Sequence, residues 1–286
     1  MANEGEELKS VFKTRKEKVQ LDKVTLSYEY YKHPNQKAQT LVFIHGFLSS
    51  SYSFRKLFPL LHDHYSLLSF DLPGFGESEK NCDIHYSLHE YAALTNRLLE
   101  KMQISKVVLI GHSMGGQIAL RTCIQHPERV EKLILLCSSS YIKSSSLGLR
   151  VCSYLPFFPY CLSLSMNAVN LRKNFEHLVY DRKLLTQQVI DGYTASFNEK
   201  GFFLALCRLI RDREEDLAST TLNKINFPIL LIWGSDDRLV PLRVGERMKK
   251  DLPDADLLVF SHTGHLIPEE RPLETSKAIR HFLHEK

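Results

Sequence analysis

The chain has 286 residues, 43% hydrophobic and 24% charged, proportions that exclude a disordered chain and a membrane bundle and leave room for one large α/β core with an insertion or for two small domains. Its net charge is +4, and the basic residues are scattered apart from a short run over Lys13 to Lys18. Without a concentrated basic patch or a nucleic-acid-reading motif, nucleic acid is excluded as a partner.

The opening stretch MANEGEELKS is polar and acidic and lacks the apolar run of a secretory signal, so the cytoplasm is the expected compartment. Two short β-like runs follow, Lys18 to Leu21 and Thr25 to Tyr31, the second with Leu26, Tyr28 and Tyr30 on one face, and they read as a hairpin. Near-continuous apolar runs then appear at Thr40 to Ile44, Ser66 to Phe70, Lys106 to Ile110, Leu133 to Leu136 and Ile229 to Trp233, the pattern of parallel strands buried on both faces. Between them, Leu88 to Met102 and Met114 to His126 carry helical spacing.

Strand and helix alternation predicts an α/β fold with a mostly parallel sheet flanked by helices. The alternation stops after Cys137 and resumes at Phe227, so residues 1–137 and 219–286 read as the core and 138–218 as a helical cap. A last strand is expected near Leu257 to Phe260 and a last helix over Pro272 to Leu283. The longest apolar stretch, Leu147 to Met166, contains Arg150, Pro156 and Pro159, which argues against a membrane-spanning helix. Six cysteines without a CxxC pair read as reduced packing residues.

The segment Val107-Val108-Leu109-Ile110-Gly111-His112-Ser113-Met114-Gly115-Gly116 carries G-x-S-x-G between a buried strand and a helix. Such a sharp turn forces its serine into strained backbone angles, and small residues at Gly111 and Gly115 leave room for neighbouring segments. Ser113 is thereby the candidate nucleophile at the carboxyl end of a strand. The Met114 amide at the helix start, and the Phe47 amide in the loop after Thr40 to Ile44, are the candidate oxyanion donors. Losing one such donor typically reduces the rate on the order of 10²-fold or more.

These features resemble the α/β-hydrolase superfamily along nearly the whole chain. His45-Gly46-Phe47 looks like its oxyanion loop, Asp71-Leu72-Pro73-Gly74-Phe75-Gly76-Glu77-Ser78 like its structural D-x-P-G-x-G-x-S loop, and Gly111 to Gly115 like its elbow. The resemblance implies His265 as general base, in Gly264-His265 with Glu270 and Pro272 downstream, ahead of the nearby His262. It implies Asp237 as the acid that orients the histidine, directly before Arg238-Leu239-Val240-Pro241, with Asp236 the competitor. Some relatives place the acid after the preceding core strand, but that position reads Cys137-Ser138-Ser139. His45 is expected to hold the oxyanion loop, and His112 to pack inside the elbow. No cofactor or metal site is expected, since His62, His64, His85 and His89 lack further ligands.

The cap is strongly apolar. Phe157 and Phe158 from it, with Leu239, Val240 and Leu266 beside the acid and base, are the candidate substrate-binding residues. They favour a small hydrophobic ester, including monoacylglycerol-like lipids, over a charged or peptide substrate. The leading expectation is a serine carboxylic-ester hydrolase working through an acyl-enzyme. A carbon–carbon bond hydrolase of ring-cleavage diketones is the alternative, although those usually carry Asn before the serine and Trp after the histidine, where His112 and Leu266 stand. Epoxide hydrolases use an aspartate nucleophile, which Ser113 argues against. A non-catalytic binding relative is a third reading. Transient contact of the cap with a membrane surface stays open, as does oligomeric state.

Overall fold

All six residues of Val107–His112 (β5) are buried, which a strand achieves in the middle of a sheet covered by helices on both sides. The same holds for β3 (Thr40–Ile44), β4 (Ser66–Phe70) and β7 (Ile229–Gly234). The computed structural model describes residues 14–80, 82–166 and 168–284, without the side chains of 168–170. The acidic opening stretch and Lys13 lie outside the described residues.

These strands join β1 (Lys16–Leu21), β2 (Val24–Tyr31), β6 (Val130–Leu136) and β8 (Ala255–Phe260) in an eight-stranded sheet of order β1-β2-β4-β3-β5-β6-β7-β8. β1 and β2 form the expected hairpin, β2 pairs antiparallel with β4, and every later pair is parallel. Both β6 and β8 begin before the apolar runs that predict them, because their first turns of chain carry polar residues such as Glu131 and Asp256.

Counting helices of six residues or more, α1 (Leu88–Lys101) and α2 (Met114–Gln125) pack on the core. Between β6 and β7 lie α3 (Leu147–Cys152), α4 (Phe158–Ser165), α5 (Ala168–Leu178), α6 (Gln187–Thr194) and α7 (Phe202–Asp212). α8 (Leu242–Asp251) and α9 (Pro272–His284) complete the chain. Among the described residues no helix is long and apolar enough to cross a membrane.

α7 fastens the inserted helices to the core. Its stripe Phe202, Ala205, Leu206 and Leu209 is buried, the i, i+3, i+4, i+7 spacing of a core-facing helix. The Phe202 ring meets Phe75 edge-on at 6.4 Å. Gly74, at φ +92°, has no side chain to obstruct this contact: a Cβ there would stand 2.9 Å from that of Ala205. Just beyond α7, the Glu214 carboxylate accepts from the Leu88 and His89 amides at 2.9 and 2.7 Å, filling the positive N-terminal end of α1.

Strand order also locates the site. The chain leaves β3 for β4 on one side and returns to β5 on the other. The loops after β3 and β5 therefore diverge, leaving a crevice at the carboxyl ends of the two strands.

Candidate active site

Ser113 stands at that crevice between β5 and α2, with φ 53° and ψ −121°. A non-glycine residue held there stores on the order of 1–3 kcal/mol of strain, sustained by its surroundings. Three backbone bonds do so: the Ser113 amide donates to Leu136 at 3.0 Å, and its carbonyl accepts from Gly116 at 2.9 Å and Ser139 at 3.0 Å. The glycines are a packing requirement. A Cβ at Gly115 would lie 2.1 Å from the Ile44 carbonyl oxygen, and one at Gly111 2.5 Å from that of Gly115.

The loop after β3 lies against this turn, so close that a Cβ on Gly46 would sit 3.0 Å from that of Ser113. Buried His45 braces it. The Leu72 amide donates to His45 Nε2 at 2.9 Å, which puts the ring proton on Nδ1 and lets Nδ1 donate to the Gly46 carbonyl at 2.8 Å. Burial lowers the pKa of His45, consistent with a neutral strut. Asp71 anchors the next loop, accepting from the Ser51 amide at 2.7 Å and the Glu77 amide at 2.8 Å. Phe47 follows Gly46 on the wall of the same cavity as Ser113. Met114 is the first residue of α2, so its amide has no acceptor within the helix.

His265 Nδ1 lies 2.7 Å from Asp237 Oδ2, with both side chains buried. The other carboxylate oxygen accepts from the Leu239 amide at 2.9 Å and the Val240 amide at 2.8 Å. Burial works to raise the pKa of Asp237. The His265 hydrogen bond and charge, with lesser help from the Val240 amide and the Cys137 thiol, overcome it and leave Asp237 below the ordinary carboxylate value. An ionised Asp237 takes the Nδ1 proton of His265 as its hydrogen-bond donor and leaves Nε2 with a lone pair.

Cys137, Asp237 and His265 bring three potential metal-binding atoms within 4.8 Å of one another. Burial pushes the Cys137 thiol well above its ordinary pKa, and Asp237 and His265 already hold each other at 2.7 Å. The competitors stand apart: Asp236 is exposed and bonded to the Ser235 hydroxyl at 2.6 Å, and His262 is exposed, its ring 5.1 Å from that of Tyr180.

His112 supports the base from behind. Its Nε2 donates to the His265 carbonyl at 2.9 Å. Burial first, and the neighbouring His265 second, push its pKa down to about 3, so the ring is neutral. A third support comes from outside the core: the His265 amide donates to the Leu178 carbonyl at 2.6 Å. Glu270 spans the same gap, accepting from the Gly264 amide at 2.9 Å and the Tyr180 amide at 2.7 Å. Burial raises the Glu270 pKa against the pull of these backbone amides.

Ser113 and His265 open into one cavity of about 370 Å³, walled by Phe47, Leu239 and Leu266 from the core and by Phe175, Tyr193 and Phe197 from the insertion. Thus the structure places Leu239 and Leu266 on the wall. It places Val240 behind it, where its carbonyl accepts from Trp233 Nε1 at 2.9 Å. Phe157 and Phe158 do not line this cavity; Phe157 is 58% exposed and Phe158 half-buried. The inserted wall comes instead from α5, α6 and the turn after it, and the α5 share was available in the i, i+4, i+7 spacing of Leu171, Phe175 and Leu178.

The sequence profile described as the alpha/beta hydrolase fold matches residues 39–272. The chain belongs to this family. It is 43% identical over 263 residues to the uncharacterized hydrolase YugF of Bacillus subtilis, covering 92% of this chain and 96% of that one. It is 27% identical over 253 residues to 2-hydroxy-6-oxo-2,4-heptadienoate hydrolase of Pseudomonas putida, covering 85% and 88%. Among solved structures, a thermophilic esterase from Thermogutta terrifontis superposes with a TM-score of 0.78 at 20% identity, covering 96% of this chain and 99% of that one. This α/β-hydrolase therefore shares its fold with enzymes of differing substrates.

Proposed function

We propose that this α/β-hydrolase is a serine carboxylic-ester hydrolase, with residues 1–137 and 219–286 as catalytic core and 138–218 as cap. Ser113 is the nucleophile, His265 the general base and Asp237 the acid. The observation that carries this reading is the 2.7 Å bond from Asp237 to His265 Nδ1. It leaves Nε2 basic, and His265 lines one cavity with a strained Ser113.

In this mechanism His265 Nε2 takes the Ser113 hydroxyl proton as Oγ attacks the ester carbonyl. The amides of Phe47 and Met114 receive the developing oxyanion. Collapse breaks the C–O bond, and the imidazolium returns its proton to the departing alcohol. Water then repeats the cycle on the acyl-enzyme and restores the serine. Asp237 holds the tautomer and offsets the imidazolium charge throughout.

The cavity's lining supports an apolar acyl or alcohol group. The second reading, hydrolysis of a ring-cleavage diketone, is favoured by the similarity to the Pseudomonas putida enzyme. Its substrate is named as a carboxylate anion, however, and among the described residues no Lys or Arg lines the inner cavity. We keep the cytoplasm as the compartment of this reading, where six unpaired cysteines stay reduced.

The test is a p-nitrophenyl ester series from acetyl to longer acyl chains, run beside 2-hydroxy-6-oxo-2,4-heptadienoate. Faster turnover of the apolar esters is expected. Faster turnover of the diketone moves the protein to the second reading, and turnover of neither points to a binding protein.

A further inference from the structure

An amphipathic helix ordinarily turns its apolar stripe inward. α3, α4 and the turn between them carry large apolar side chains on the outside as well, while Leu162 of α4 packs on the core. Leu147, Val151 and, in the following turn, Tyr154 are spaced i, i+4, i+7 and are 79%, 59% and 70% exposed. Phe157, Tyr160 and Leu164, spaced i, i+3, i+7, are 58%, 65% and 56% exposed. At roughly 150–200 Å² per large side chain, the six offer on the order of 600 Å² of largely apolar surface, at or beyond the largest patch of a typical monomer.

The segment that carries the patch holds charge of one sign, with acidic Glu176 and Asp191 standing beyond it at the neighbouring outer cavity. From Cys137 to Phe175 there is no Asp or Glu, while Lys143, Arg150, Arg172 and Lys173 fall in that span. Lys143 and Lys173 are exposed, Arg211 stands over the Tyr154 ring at 4.4 Å, and Arg172 is exposed but pairs with Glu176 at 3.4 Å. Exposed lysines beside an apolar face carrying tyrosines are a composition that suits an anionic lipid interface.

The patch also adjoins the entrance. An outer cavity whose lining includes Ser163, Met166, the cations Arg172 and Lys173 and the carboxylates Glu176 and Asp191 begins where α4 ends, and it shares Met166, Leu171 and Phe197 with the walls around Ser113. A second protein seated on α4 would crowd that mouth, whereas a lipid surface would supply it.

We propose that the outer face of α3 and α4 docks reversibly on an anionic lipid surface and receives apolar acyl esters from it. The docking is independent of the chemistry, but what it delivers rests on the ester-hydrolase reading. Phe157 then belongs to the lipid contact and not to the substrate cavity.

The experiment is co-sedimentation of the full chain with phosphatidylcholine vesicles with and without phosphatidylglycerol, at low and high salt. Wild type is expected to pellet with the phosphatidylglycerol vesicles and to be released by salt. A Leu147→Glu/Val151→Glu/Leu164→Glu variant is expected to lose the bound fraction by about tenfold or more while retaining turnover of a short soluble ester, which reports an intact fold. Lys143→Glu/Lys173→Glu is expected to lose the preference for phosphatidylglycerol. Wild type that stays in the supernatant with both vesicles overturns the proposal. So does a wild-type dimer in analytical ultracentrifugation that the triple variant converts to monomer, since a second copy would then cover the patch. Lipid binding without ester turnover would sink the ester reading and leave the docking intact.

Discussion

The backbone amide of His265 donates to the carbonyl of Leu178 at 2.6 Å, so the proposed base is joined by main chain to the last turn of α5. Glu270 makes the same connection with a carboxylate, one oxygen on Gly264 and the other on Tyr180. The position of His265 thus depends on the inserted helices as well as on the sheet.

Glu270→Gln keeps the shape but replaces one acceptor oxygen by a donor that faces a backbone N–H. Losing one charged hydrogen bond destabilises by about 1–3 kcal/mol, and a loosened base lowers kcat. The expected result is a lower melting temperature with kcat reduced about tenfold and KM little changed. An unchanged kcat would show that the Leu178 bond suffices.

Asp237→Asn and Asp236→Asn form a paired test of the acid. An amide at 237 favours the wrong imidazole tautomer, and kcat for ester turnover is expected to fall about 10³–10⁴-fold. Asp236 reaches solvent and a serine hydroxyl, so its variant should turn over at nearly the wild-type rate. Comparable losses would contradict the assignment.

Acid stability follows from His112. Its pKa is lowered from 6.5 to about 3, so between those values the unfolded chain binds a proton that the native state excludes. Stability therefore falls as pH drops from 6.5 toward 3, by about 2 kcal/mol at pH 5 from this group alone. Asp237, also lowered, contributes stability above its ordinary 3.8 that is lost as pH falls through its native value. Denaturant melts from pH 7 to 4 should show the slope, and His112→Asn, which cannot titrate, should flatten it.

Two glycines should respond in opposite directions to alanine. At Gly115 the new methyl would meet the Ile44 and His45 carbonyl oxygens at 2.1 and 2.6 Å. Backbone cannot move aside cheaply there, so the variant is expected to lose soluble yield or melt far below wild type. At Gly148, within α3, nothing lies within 4 Å. There alanine should stabilise by about 0.5–1 kcal/mol through helix propensity. Thermal melts of both variants decide the matter.

The core strands were legible because residues buried on both faces leave an unbroken apolar run, as in Thr40–Ile44 and Ser66–Phe70, whose ends coincide with those expected. The elbow was legible for a local reason: strand, two glycines and helix are all contained within Val107 to Gln125. The cavity wall was less so. Apolar density drew attention to Phe157 and Phe158, but density does not tell an inward side chain from an outward one. Phe175 and Tyr193 reach the cavity through the packing of α5 and α6, which helical spacing hints at and only tertiary structure fixes. The link from Glu270 to Tyr180 spans 90 residues of chain and leaves no local signature. Cys152 and Cys161 show the same limit, being exposed where apolar surroundings predicted packing.

The most direct test of the account is intact-protein mass spectrometry after treatment with a fluorophosphonate probe, wild type beside Ser113→Ala, with p-nitrophenyl ester turnover measured on the same samples. The account predicts one adduct on wild type, mapped by digestion to Ser113, with turnover abolished in step, and neither adduct nor turnover in the variant. An unlabelled wild type, or a Ser113→Ala protein that still hydrolyses the ester at the wild-type rate, would contradict it.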